Sequence, residues 1–168
     1  MRAAAAALVR FAERLSAGLA AAGVACLLAA TGLTVGDVLL RRAVNVAVPG
    51  TVDLTQLCVV ACVYAAMPYT FLSGGHVAVE VLTDRLPPRG VALCELLALL
   101  LALALTLALF RYGLAQALLQ HGYGDRSQTI GVPILWYWTP LLGGLLLSAL
   151  ACGLLALGRL RRVVLGPR

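Results

Sequence analysis

Apolar residues fill four long blocks of this chain, and polar residues collect in the short intervals between them. The blocks cover residues 15–40, 52–72, 91–117 and 133–157. A membrane-spanning helix needs roughly 20 largely apolar residues, so each block predicts one span. The intervals leave no room for a sizeable soluble domain. The pattern predicts an all-α integral membrane protein, a single domain over residues 1–168. It has four transmembrane helices and a short interfacial helix or elbow between the second and the third.

Ahead of the first block, residues 3–14 read as a separate interfacial helix. Leu8, Phe11 and Leu15 form its apolar edge, and Arg10, Glu13 and Arg14 lie on the other side. The apolar run that follows continues to Val38, longer than the core of a cleaved signal, so the first span is expected to be retained. Composition agrees with a chain read against lipid: 62% of the 168 residues are hydrophobic and only 12% are charged.

The net charge of +6 raises nucleic acid as a partner, but the distribution of charge excludes it. All 13 basic residues are Arg. Arg2, Arg10, Arg14, Arg85, Arg89, Arg159, Arg161, Arg162 and Arg168 fall on the termini and the central connection. Arg41, Arg42, Arg111 and Arg126 fall on the opposite side. This asymmetry predicts cytoplasmic termini, and the partner it implies is the lipid bilayer.

Within the spans, Gly32 and Gly36 have the spacing that lets helices approach closely, as do the small residues Gly143, Gly144, Ser148 and Gly153 of the fourth span. Asp37 and Arg41 stand four apart and are expected to pair. Asp53 with Gln56 resembles a capping box opening the second span, and Pro68 should bend or end it. Trp136, Tyr137 and Trp138 predict an aromatic belt at the outer interface. The five cysteines lie in apolar segments without metal-type pairing and read as small hydrophobes.

Polar chemistry concentrates in residues 74–88, the predicted interfacial elbow. If these residues are helical, His76, Glu80 and Asp84 form one stripe; the alternation of Val77, Val79 and Val81 also permits an extended strand. The stripe offers no fourth ligand or dry cavity for a metal. Glu95 stands a turn or two inside the third span, where a mid-bilayer carboxylate would cost on the order of 3 kcal/mol. It should therefore reach the interface or meet an Arg. No catalytic or phosphate-binding motif is present, so no enzyme, cofactor or metal is expected. The residues admit two further readings. One is a haem- or enzyme-anchoring subunit, for which His76 and His121 lie on opposite faces. The other is a small autonomous exporter using Glu95.

Two stretches together carry a family resemblance. "VLLRRAVNVAVPGTVDLTQL" supplies Arg41, Pro49, Gly50 and Asp53; "GGHVAVEVLTDRLPPRG" supplies Gly75, His76, Val77, Val79, Glu80, Asp84, Arg85 and Leu86. With the later "TIGVPILWYW", they resemble the DctQ-like small membrane subunit of tripartite ATP-independent periplasmic (TRAP) transporters. Asp53 stands where Glu is usual and Glu80 where Asp is usual; both keep the charge. The resemblance implies a bacterial inner-membrane complex with a large multi-span permease and a periplasmic substrate-binding protein. That complex takes up an organic acid, such as a C4-dicarboxylate, by sodium symport. It also implies that Arg41, Asp53, Gly75, His76, Glu80, Asp84, Arg85 and Glu95 serve structure or partner contact.

Overall fold

The computed structural model describes the backbone of residues 2–73 and 88–165, and the side chains of residues 10–73, 90–91 and 93–160. The expected elbow over 74–88, with Gly75, His76, Glu80, Asp84 and Arg85, lies outside the described side chains. Four helices make up the described chain: α1 (Arg2–Val44), α2 (Thr51–Leu72), α3 (Pro88–Tyr123) and α4 (Leu135–Leu165). Each contains a segment long and apolar enough to cross a membrane: Arg10–Val44, Thr51–Leu72, Leu93–Tyr123 and Leu135–Leu160. The chain is a multi-pass, all-α membrane protein.

One local expectation differs from what is observed, and a second is narrowed. The helix over residues 3–14 is not a separate element, because α1 runs unbroken from Arg2 to Val44. The alanine-rich start has high helix propensity, and no Gly or Pro interrupts the junction. Pro68 does not end α2, which continues through it to Leu72. A membrane helix tolerates proline where neighbours re-satisfy the freed backbone, and Pro68 is buried.

The helices pack in the order α1, α2, α4, α3: the principal contacts join α1 to α2, α2 to α4, and α4 to α3. The last helix in sequence therefore lies between the second and third. Close approach depends on glycine at two crossings. A Cβ on Gly23 would sit 3.0 Å from the Cα of Cys62, so α1 rests directly on the backbone of α2. A Cβ on Gly144 would sit 2.6 Å from the carbonyl carbon of Tyr64, so α4 does the same on the other side of α2. Small residues allow dispersion contacts between backbones where lipid gives no hydrophobic drive to helix association. Beside this crossing, Phe71, Ala151 and Cys152 form a buried cluster, with Met67, Leu72, Ala102 and Leu103 packed against it.

Gly32 and Gly36, by contrast, face open space within this chain. The outermost helices carry wide apolar surfaces, with Leu28 on α1 and Leu97, Leu101 and Leu118 on α3 all more than 60% exposed.

Candidate functional site

Polar contacts gather at two levels of the helix row. One is the loop end, where the α1–α2 and α3–α4 connections meet; the other is the opposite end, where α3 begins and α4 finishes.

The loop end starts from Asp37, one turn before the cationic end of α1. Its Oδ2 pairs with the Arg41 guanidinium at 2.9 Å, and its Oδ1 accepts the backbone N–H of Val48 at 2.6 Å. The expected Asp37–Arg41 pair is thus present, and it also fixes the returning loop. The chain turns through Asn45 (φ 57°) and Gly50 (φ 85°), both in the left-handed region that Gly and Asn tolerate best. Gly50 is the N-cap of α2, and no side chain caps that helix. The expected Asp53–Gln56 capping box does not form, because the Asp53 carboxylate is used elsewhere.

Asp53 Oδ2 accepts the backbone N–H groups of Thr129 and Ile130, each at 3.0 Å. The Asp53 carbonyl accepts the hydroxyl of Tyr137 at 3.1 Å. One buried residue in the first turn of α2 therefore fastens both the α3–α4 loop and the start of α4. A carboxylate suits this position twice over: it is favoured at a helix N-terminus, and bonds to an ionised acceptor are the strong ones.

The α3–α4 loop is shaped to present those amides. Arg126 and Pro133 form an isolated antiparallel bridge. Ser127 N–H donates to the Val132 carbonyl at 2.8 Å, and Val132 N–H donates to Ser127 Oγ at 3.0 Å. Gly131 takes φ 68° inside this turn. Ile130 then lies against Gly50, in space that a Cβ would fill.

Of the three aromatics expected as an interfacial belt, only Trp136 is well exposed. Tyr137 is committed to Asp53, and Trp138 Nε1–H donates to Gln120 Oε1 at 2.7 Å, joining α4 to α3. Below that bond, Tyr64, Tyr112, Gln116, Trp138 and Leu145 wall an open groove of about 630 Å³. Its walls are mainly apolar, and none of these side chains is charged.

At the opposite end, Glu95 Oε2 meets the Arg159 guanidinium at 2.8 Å, each side chain about one-third exposed (34% and 37%). Glu95 has its partner within the chain, between α3 and α4. Among the described residues no three His, Cys, Asp or Glu side chains gather to hold a metal ion.

Sequence reasoning missed the partners of Asp53 and the α1–α2 contact at Gly23. Asp53 is separated from Thr129 by 76 residues, which no local spacing reveals. Gly23 looks no different in sequence from Gly32, yet only Gly23 is pressed against a neighbour. Gly144 and Ser148, both expected packing positions, are buried between helices, and the Ser148 hydroxyl has no hydrogen-bond partner among the described residues.

Residues 30–162 match the family described as tripartite ATP-independent periplasmic transporters, DctQ component. The chain belongs to this family. The matched region takes in the last third of α1, all of α2 and α3, and α4 as far as residue 162. Comparison with curated proteins and with solved structures returns no match. As a DctQ component, the chain is part of a transporter.

Proposed function

We propose that this DctQ chain is the small permease subunit of a TRAP-type secondary transporter. It braces a large multi-span permease during ion-gradient-driven uptake of an organic acid delivered by a periplasmic binding protein. The observation that carries the reading is the open helix row: α1 and α3 stand at its two edges, each packed mainly against one neighbour. A rigid row with uncovered faces suits a brace. Rigidity comes from the Asp37 and Asp53 fastenings at one end and the Glu95–Arg159 pair at the other.

The arginine distribution supports cytoplasmic termini; on that reading the fastened loop end faces the periplasm of a bacterial inner membrane. On this reading, His76, Glu80, Asp84 and Arg85 lie on the cytoplasmic side as partner or intraloop contacts. Gly32 and Gly36 offer a small-residue surface on α1 to the permease.

The test is a mild-detergent purification of the tagged chain from its native membrane, with mass spectrometry of co-purifying proteins. The expected result is a stoichiometric permease of many spans. A chain that comes down alone, and transports alone in liposomes, would sink the proposal. Alanine at both His76 and Asp84 should lower permease recovery and uptake together; normal assembly with altered sodium dependence would give these residues a coupling role instead.

A further inference from the structure

Three acids near the ends of the spans are held within the chain. Asp37 pairs with Arg41, Glu95 with Arg159, and Asp53 with two loop amides. Arg10, Glu13, Arg14, Arg42, Asp125 and Arg126, which have no ion pair among the described residues, stand near or beyond the ends of the spans, whereas Arg111 stands well inside one. It is exposed on α3 and makes no ion pair or hydrogen bond among the described residues.

Its depth follows from the two contacts that tie α3 to α4. Arg111 stands 16 residues beyond Glu95 and 9 short of Gln120. At about 1.5 Å per residue, these are about 24 Å and about 14 Å. A hydrocarbon layer about 30 Å thick, centred between those contacts, leaves Arg111 about 10 Å inside its nearer edge. Helical side chains lean toward the N-terminus of their helix, which for Arg111 is toward the middle of the bilayer. Snorkelling to the nearer headgroups works against that lean. An arginine at such a depth is rare and marks a polar partner.

Its direction follows from α3's packing. Gly113, which rests on Trp138, Leu141 and Leu142 of α4, lies about 200° around the helix from Arg111. Arg111 therefore points away from the rest of the chain. It stands in a seam stepping by three and four residues (Leu97, Leu100, Ala104, Leu107, then Leu114 and Leu118), every member exposed. That spacing is the one by which a second helix packs along a first, and a single polar residue in such a seam fixes its register.

We infer that this face of α3 is where the large permease packs, and that Arg111 meets a carboxylate on the facing permease helix. The inference rests on the small-subunit reading above and adds the face and the chemistry of the contact. A lipid tail could cover the leucines but leaves the guanidinium unpartnered. An Asp or Glu on a protein helix satisfies both, with the charge-assisted geometry that suits arginine.

The test uses the full complex, purified through a tag on the small subunit. A benzophenone photo-crosslinker replaces Leu107 or Leu118 in an otherwise unaltered chain, with Leu105 as the control on a different face of α3. Adducts at 107 and 118 should run into the permease, and the crosslinked segment should carry an acidic residue; the control should give few. Separately, Arg111→Glu should lower permease recovery about tenfold at equal chain abundance, the scale of one lost intramembrane polar pair plus like-charge repulsion. Arg111→Leu should lower it less.

If wild-type chain recovers the permease while Arg111→Leu does so undiminished, or adducts form at 105 rather than at 107 and 118, the inference fails. The small-subunit reading would survive that result. If wild-type chain recovers no permease at all, both fall.

Discussion

The carboxylate of Asp53 in α2 holds the backbone amide of Ile130, 77 residues away, at 3.0 Å, and so decides where the α3–α4 loop sits. Through the same residue's carbonyl, Tyr137 is drawn to the start of α2. Replacing Asp53 by Ala should leave two part-buried loop amides without their acceptor and lower stability by about 1–3 kcal/mol. Asp53→Asn keeps one acceptor oxygen and should cost about half as much. Thermal unfolding of the detergent-purified chain checks the order; equal midpoints for wild type and Asp53→Ala would show that the loop holds itself.

Gly50 faces two separate demands. Its φ of 85° disfavours any side chain, and the space over its Cα is taken by Ile130. Gly50→Ala should therefore lose about 1–2 kcal/mol from backbone strain together with the cost of displacing Ile130. Ile130→Ala in the same chain should return only the second part. Full rescue in a denaturation series would mean that the conformation at residue 50 carries no strain.

Two glycines with the same look in sequence should behave in opposite ways. Gly144→Ala drives a methyl into the Tyr64 backbone and should destabilise the chain by about 1–3 kcal/mol, the usual range for overpacking. Gly32→Ala enters open space and should leave the isolated chain's unfolding midpoint unchanged or slightly raised, since Ala is the better helix former. The pair of midpoints, measured side by side, tests whether α4 rather than the Gly32 face of α1 makes the tight crossing.

The Glu95–Arg159 pair is about one-third exposed at both partners, so solvent and salt screen it. A double-mutant cycle with Glu95→Gln and Arg159→Gln should give a coupling of about 0–1 kcal/mol. Chain carrying Glu95→Gln should show no altered proton flux in liposomes. A pH-gradient collapse that depends on Glu95 would reopen the exporter reading.

These cases show what can be read from a sequence of this kind. The four spans were legible because lipid imposes length and apolarity on every window, and Asp37–Arg41 was legible because one helical turn separates the two. The same locality misled at Asp53, where a capping box one turn long was the nearest pattern and a loop 76 residues away was the actual partner. Glu95 announced its need for a cation by its depth, but only the packing of α4 on α3 selects Arg159 from the other arginines. Gly23 and Gly32 differ by nothing that spacing records; a neighbour's position decides which is used.

The order of the row also bears on how the molecule is made. Because α4 lies between α2 and α3, the third helix reaches the membrane before its main neighbour exists. α3 must wait there alone, and it is the helix built to do so: its spanning window has the highest mean hydropathy of the four, 2.6, with only 6% of it buried in the finished row. α4, whose window is 39% buried, arrives last and packs one helical hairpin and a lone helix into one body. A nascent chain halted before α4 would hold two unjoined pieces, α1 with α2 and a solitary α3, and completion of the final helix is the event that locks them together.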